Sequence, residues 1–222
     1  MTEKHKVIVF DLDDTLYKEI DFLKSAYREI ADYFRDEFGI YGLWGEMLRY
    51  YGEKKDVFQE VIDFYKRPVK KDFLLEMYRA HKPCIHLDDD TKETLDYLVK
   101  NKHYDMAIIT DGRSLTQRNK AEALGLYDYL KDEQDMIISE EIGHTKLDDS
   151  TFELVETFYP DCDYTYVGDN PEKDFVVPNS KSWKTICLRN NGRNIHDSNT
   201  NIDELYLAMH EIDNIKEIID II

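Results

Sequence analysis

The sequence predicts an α/β fold: a parallel sheet flanked by helices, with a helical unit inserted early. Three observations predict it. Short apolar runs rich in Val and Ile alternate with helix-spaced segments along most of the chain; the exception is a long stretch without a strand after the first run; and polar residues gather where the apolar runs end. Strands separated by helices imply right-handed βαβ crossovers and parallel pairing.

The strands are read over 6–11 (KVIVFD), 106–111 (MAIITD), 136–139 (MIIS), 164–169 (YTYVGD), 184–188 (KTICL) and 205–209 (LYLAM). Helical spacing, with Gly or Asn near its stop, covers 90–101, 115–125 and 148–159. Residues 17–87 carry only aromatic-rich helical pattern, too much for one crossover. They are read as an inserted helical domain, leaving 1–16 and 88–222 as the core. The insert's many Tyr and Phe suit its own core better than a ligand box. Residues 189–201 form a polar loop, and the acids at 88–90 suit a helix N-terminus.

The 222 residues are 42% hydrophobic, enough for a sizeable core, and carry a formal charge of −18. That charge opposes binding to nucleic acid or to anionic membrane, both of which are held through Lys/Arg patches. With neither an apolar leader nor a membrane-length apolar run, the expectation is a cytoplasmic protein. Three cysteines, Cys84, Cys162 and Cys187, have no close pair and read as reduced thiols filling small core positions.

The chemistry lies where strands end. Asp11 and Asp13 follow the first strand, Thr110 and Asp111 close the second, Lys146 lies beyond the third and Asp169 ends the fourth. In a parallel α/β sheet these ends meet at one edge, where ligands bind. Burying unpaired carboxylates is costly, so packing does not account for them. Carboxylates hold a divalent cation, whereas a hydroxyl and an ammonium bind anionic oxygens. A phosphoryl group needs both. A calcium-loop reading of residues 11–21 fails because Leu16 stands where that turn requires Gly.

DLDDT, IITDG, SEEIGHTKLDDSTFE and YVGDNPEKD, in this order between Val7 and Asp174, resemble the four motifs of the haloacid dehalogenase-like hydrolases. Leu147 stands where many members have Pro, and Asp111 where many phosphatases have Asn. The resemblance implies a Rossmann-like core and makes the insert a helical cap; the 35 residues between Thr110 and Lys146 leave no room for the other cap type. It further implies that Asp11 is the nucleophile and Asp13 the acid and base, that Thr110 and Lys146 hold the phosphoryl group, and that Asp174 orients Lys146 or the metal's waters. Mg²⁺ would be held by the carboxylates of Asp11 and Asp169 and the main-chain carbonyl of Asp13. Asp111 and Arg113 are expected near the substrate, and Tyr17, Lys18 and Phe22 as a specificity wall. The implied activity is Mg²⁺-dependent hydrolysis of a small phosphomonoester, a sugar phosphate or similar metabolite, through an aspartyl-phosphate. Residues 110–125 are also similar to the corresponding stretch of acylneuraminate-9-phosphatase-like members. A phosphomutase of the same fold and a catalytically silent regulatory or scaffolding protein are the alternatives.

Overall fold

The computed structural model describes residues 4–195 and 203–222. Six strands form one sheet in the order β3-β2-β1-β4-β5-β6, every neighbouring pair parallel. They are β1 (Lys6–Phe10), β2 (Asp105–Thr110), β3 (Met136–Ile138), β4 (Asp163–Gly168), β5 (Lys184–Leu188) and β6 (His210–Ile212). The central strands alternate apolar residues between two cores. Ile8, Phe10, Met106 and Ile108 pack on one face of the sheet, and Val7, Val9, Ala107 and Ile109 on the other. Such two-faced burial is what an unbroken apolar run specifies in a covered parallel sheet.

The last strand departs from the sequence expectation. The apolar run read over 205–209 forms no strand: Glu204–Tyr206 make a short 3₁₀ turn, Leu205, Leu207 and Met209 are exposed, and the edge strand β6 falls just beyond on His210–Ile212. The polar loop read over 189–201 is described as far as Ile195; its remainder lies outside the described residues.

Between β1 and β2 come α1 (Glu19–Phe38), α2 (Leu43–Gly52), α3 (Val57–Tyr65) and α4 (Lys71–Ala80), followed by α5 (Asp89–Leu95), which runs on as a π-helical turn over Asp96–Asn101. Asp88 caps α5 by accepting from the N–H of Thr91. Along α1 the stripe Leu23, Tyr27, Ile30 and Phe34 packs with Leu43, Met47, Phe58 and Leu74 in a core separate from those of the sheet. The helix ends at Gly39, whose φ of 66° lets its N–H reach back to Arg35. At its base, Phe22 and Ala26 join the sheet's core instead, anchoring the insert.

After β2 come α6 (Ser114–Ala123), α7 (Ser139–Ile142), α8 (Asp149–Phe158), α9 (Pro171–Asp174) and α10 (Val176–Ser180). Of the cysteines, Cys187 is buried as expected, but Cys84 is exposed and Cys162 half-buried; all three are free. No helix among the described residues is long and apolar enough to cross a membrane.

Candidate active site

Strand order reverses at β1, which lies between β2 and β4, and the carboxyl ends of these three strands frame the site. The ladder continues one residue past β1: the N–H of Asp11 donates to the carbonyl of Val167 at 2.8 Å, fixing Asp11 at the sheet edge. The chain then turns sharply at Asp14, whose φ is 59°. Its carboxylate accepts from the N–H groups of Glu19 at 3.0 Å and Ile195 at 2.9 Å, and so holds a strained turn in place.

Lys146, on the loop between α7 and α8, is one of two buried cations at the site. Its ammonium donates to Asp11 Oδ1 and, at 2.8 Å, to Asp174 Oδ1. Asp174 also accepts from Tyr166 Oη at 3.2 Å and from the N–H groups of Asp169 and Asn170 at 3.2 and 2.8 Å. This packing requires glycine at 168, since a Cβ there would stand 2.6 Å from Asp174 Oδ2. The second oxygen of Asp11 accepts from Thr15 Oγ1 at 3.2 Å.

Asp13 is held from the other side by two residues of α6. Lys120 Nζ reaches its two oxygens at 2.7 and 2.9 Å, and Gln117 Nε2 donates to Asp13 Oδ2 at 2.8 Å and to Thr110 Oγ1 at 2.6 Å. Tyr17 Oη completes the set on Asp13 Oδ1. Gln117 and Lys120, spaced i,i+3, share one face of α6 and are both buried. Sequence reading missed them. The only available signal was that spacing, since a helix's inward face is set by tertiary packing.

These groups surround a cavity of about 150 Å³ that Asp11, Asp13, Glu19, Thr110, Asp111 and Asp169 help to line. Asp11, Asp13, Thr110, Lys146, Asp169 and Asp174 are therefore brought together, as is Asp111. Arg113 is not: its exposed side chain pairs with Glu140 at 2.6 Å, away from the cavity lining. Nor do Tyr17, Lys18 and Phe22 form a wall. Tyr17 binds Asp13, Lys18 binds the Asp14 carbonyl and Asn194, and Phe22 lies under Lys120 at 4.6 Å. Among the described residues, the four insert helices contribute Glu19 alone to the lining.

Residues 5–175 match the family model of the haloacid dehalogenase-like hydrolases. The chain belongs to that family. This haloacid dehalogenase-like hydrolase is 25% identical to a glyceraldehyde 3-phosphate phosphatase of Methanocaldococcus jannaschii, over 98% of this chain and 96% of the relative. Its fold resembles that of the HAD-hydrolase YfnB from Bacillus subtilis bound to magnesium, at a TM-score of 0.68, 20% identity and 99% coverage of both chains. A HAD phosphatase from Thermococcus onnurineus superposes with a TM-score of 0.60, at 22% identity and 97% coverage of both.

Charge crowding in the hydrolase shapes its titration. Burial, then the neighbouring Asp11, Asp174 and Asp14, push Asp169 up to about 8. Burial raises Asp11 to about 6 against the pull of Lys146. Asp13 is also buried, yet the ammonium and hydrogen bonds of Lys120, with help from Tyr17 and Gln117, hold it below the usual carboxylate range. Burial, then Asp13, push Glu19 up to about 8. Oxygens of Asp11, Asp169 and Asp174 lie within 4.8 Å of one another. Asp174 already spends its oxygens on Lys146, Tyr166 and two backbone N–H groups, which leaves Asp11 and Asp169 as the pair facing the cavity. An all-oxygen set carrying surplus negative charge fits a hard divalent cation.

Proposed function

We propose that the protein is a Mg²⁺-dependent phosphatase acting on a small phosphomonoester through an aspartyl-phosphate on Asp11. The observation that carries this reading is the pairing of Asp11, backed by the buried ammonium of Lys146, with a second, separately held acid, Asp13, across one small cavity. A lone nucleophilic carboxylate would serve dehalogenation as well. The second acid is what an ester's poor leaving oxygen needs. The phosphatase activity named for the Methanocaldococcus relative supports the same chemistry.

In this reading a carboxylate oxygen of Asp11 attacks phosphorus in line while Asp13 gives its proton to the departing alkoxide. The two negative charges of an arriving phosphate offset Lys120 and favour the protonated Asp13 required at that moment. Asp13, now a carboxylate beside Lys120, takes a proton from the water that attacks the acyl phosphate, and Asp11 is released with inorganic phosphate. Thr110 and Lys146 hold phosphoryl oxygens, and Asp174 keeps Lys146 aimed at Asp11. Asp11, Asp169 and the main-chain carbonyl of Asp13 would hold Mg²⁺, which supplies charge neutralisation on the phosphoryl oxygens. The insert acts as a cap over the strand ends, with Glu19 at the cavity.

Rapid mixing tests the roles. With p-nitrophenyl phosphate, Asp13→Asn should give a burst of p-nitrophenol followed by slow turnover, because the activated leaving group needs little protonation whereas hydrolysis of the acyl phosphate still needs the base. Asp11→Asn should give neither turnover nor phosphoenzyme. A covalent phosphate on Asp13 in the Asp11→Asn protein would reverse the assignment. Release of free phosphate from a sugar phosphate, rather than its return to the sugar, separates this reading from a phosphomutase.

A further inference from the structure

The amino ends of β1 and β2, at the opposite end of the sheet from Asp11, open on a second cavity of about 570 Å³. Its chemistry reverses that of the strand ends. Lys4, His5, Lys6, Lys102 and His103 line it and no Asp or Glu does, in a chain whose formal charge is −18. Ile222 brings at most one carboxylate, that of the last residue of the sequence, against three ammonium groups and two imidazoles. Asp105, at the start of β2, is already held by His5 at 2.8 Å and by Lys131. Among the described residues no carboxylate pairs with Lys4, Lys102 or His103.

The floor of the cavity is packed. Leu98 is 1% exposed and Tyr104 8%. The Tyr104 hydroxyl makes no hydrogen bond among the described residues and yet keeps accessible surface, so it is a donor open to the cavity. Leaving such a group unpaired is costly, and a ligand that accepts from it removes the cost. The segment that assembles this wall is irregular: α5 runs on as a π-helical turn over Asp96–Asn101, and His103 has a φ of 59°. Both features gather at functional sites.

We infer that this cavity binds a small organic molecule carrying two phosphate groups, with Lys4, Lys102 and His103 pairing its charge and the Tyr104 hydroxyl donating to a phosphoryl oxygen. Phosphate oxygens accept hydrogen bonds, and each of these side chains can donate one. The cations come in two sets, on residues 4–6 and 102–103, which two phosphate groups match better than one. The volume falls in the ~300–1,000 Å³ range of small-molecule sites and exceeds what a single phosphate ion fills. The site stands apart from the strand ends and holds whether or not the phosphatase reading does.

The experiment is calorimetric titration of the protein in EDTA with fructose 1,6-bisphosphate, and with fructose and citrate for comparison. Without a divalent cation the acidic strand ends repel an anion, so the bisphosphate should bind at one site with a Kd below about 1 mM. Fructose should not bind, and citrate should bind at least about tenfold more weakly. Tyr104→Phe, which keeps the buried ring, and the double variant Lys4→Gln with Lys102→Gln should each weaken the bisphosphate by about tenfold, with thermal denaturation unchanged to show that the fold is intact. Absence of saturable binding, citrate binding as tightly as the bisphosphate, or binding that neither variant weakens would overturn the inference, the last by placing the anion elsewhere on the protein.

Discussion

Replacing Lys120 with methionine removes the cation on Asp13 while leaving an apolar stem to pack over Phe22. Four hydrogen bonds hold the Asp13 carboxylate, two from Lys120 and one each from Gln117 and Tyr17. Hydrogen bonds to a charged group contribute about 1.5–3 kcal/mol each, and breaking one side of a buried pair costs about 3–5 kcal/mol. A second route limits the loss, because an unpaired Asp13 can take up a proton. At pH 7, about three units above the ordinary carboxylate value, that costs about 4 kcal/mol at 1.36 kcal/mol per unit. Lys120→Met should therefore destabilise the fold by about 2–4 kcal/mol in urea titration. Its kinetic effect should depend on the leaving group. Acid assistance is worth about 10² to 10⁴-fold, so kcat/KM, which reports formation of the phosphoenzyme, should fall about 10²-fold for an alkyl phosphate and less than about tenfold for p-nitrophenyl phosphate. Equal falls for both esters would show that Lys120 serves the fold alone and would refute its link to the acid.

Asp169→Ala should raise the Mg²⁺ concentration for half-maximal activity by about tenfold or more, with activity partly recovered at high Mg²⁺; an unchanged Mg²⁺ titration would remove Asp169 from the metal. Gly168→Ala would place a methyl 2.6 Å from Asp174 Oδ2, so it should cost about 1–3 kcal/mol in thermal denaturation and lower kcat by displacing the group that aims Lys146. Wild-type stability with an unaltered kcat would contradict that close approach. Asp169 and Asp11 are raised in the fold to about 8 and about 6. Between pH 4 and 8 the metal-free folded state therefore binds more protons than the unfolded chain, and these groups cost stability as pH rises. In the proposed site Mg²⁺ would take the place of those protons, so its upward shift of Tm should be larger at pH 8 than at pH 5. A shift independent of pH would sink this account.

What was readable in the sequence follows the range of the forces involved. Strands β1 to β5, the edge strand β3 included, announce themselves because their burial leaves a largely apolar run, and the acids at the ends of β1, β2 and β4 stand out against it. The other edge strand, β6, has a single buried residue, Ile212, so it carries no pattern, and the more apolar run just before it is the stronger strand signal. Arg113 follows Thr110 closely in sequence, but Gly112 intervenes at a φ of 152° and the side chain leaves toward Glu140. Nearness along the chain does not fix direction. Gln117 and Lys120 were hidden for the opposite reason, since polar residues on a helix read as solvated until the neighbouring element is known.

The loop after β5 ties together parts that sequence separates widely. Arg193 pairs with Asp21 on α1 at 2.7 Å, Ile195 packs on the insert's core, and Asn194 between them donates to Asp169 Oδ2 at 2.8 Å. Lys18, at the foot of the insert, holds the same Asn194 through its side-chain oxygen at 2.8 Å. A swing of α1 away from the sheet must either break the Arg193 pair or pull the loop along, and in the second case Asn194 leaves Asp169. In the proposed phosphatase, substrate entry and the freedom of Asp169, the proposed metal ligand, then become one mechanical event, with this short polar loop as the tendon between them.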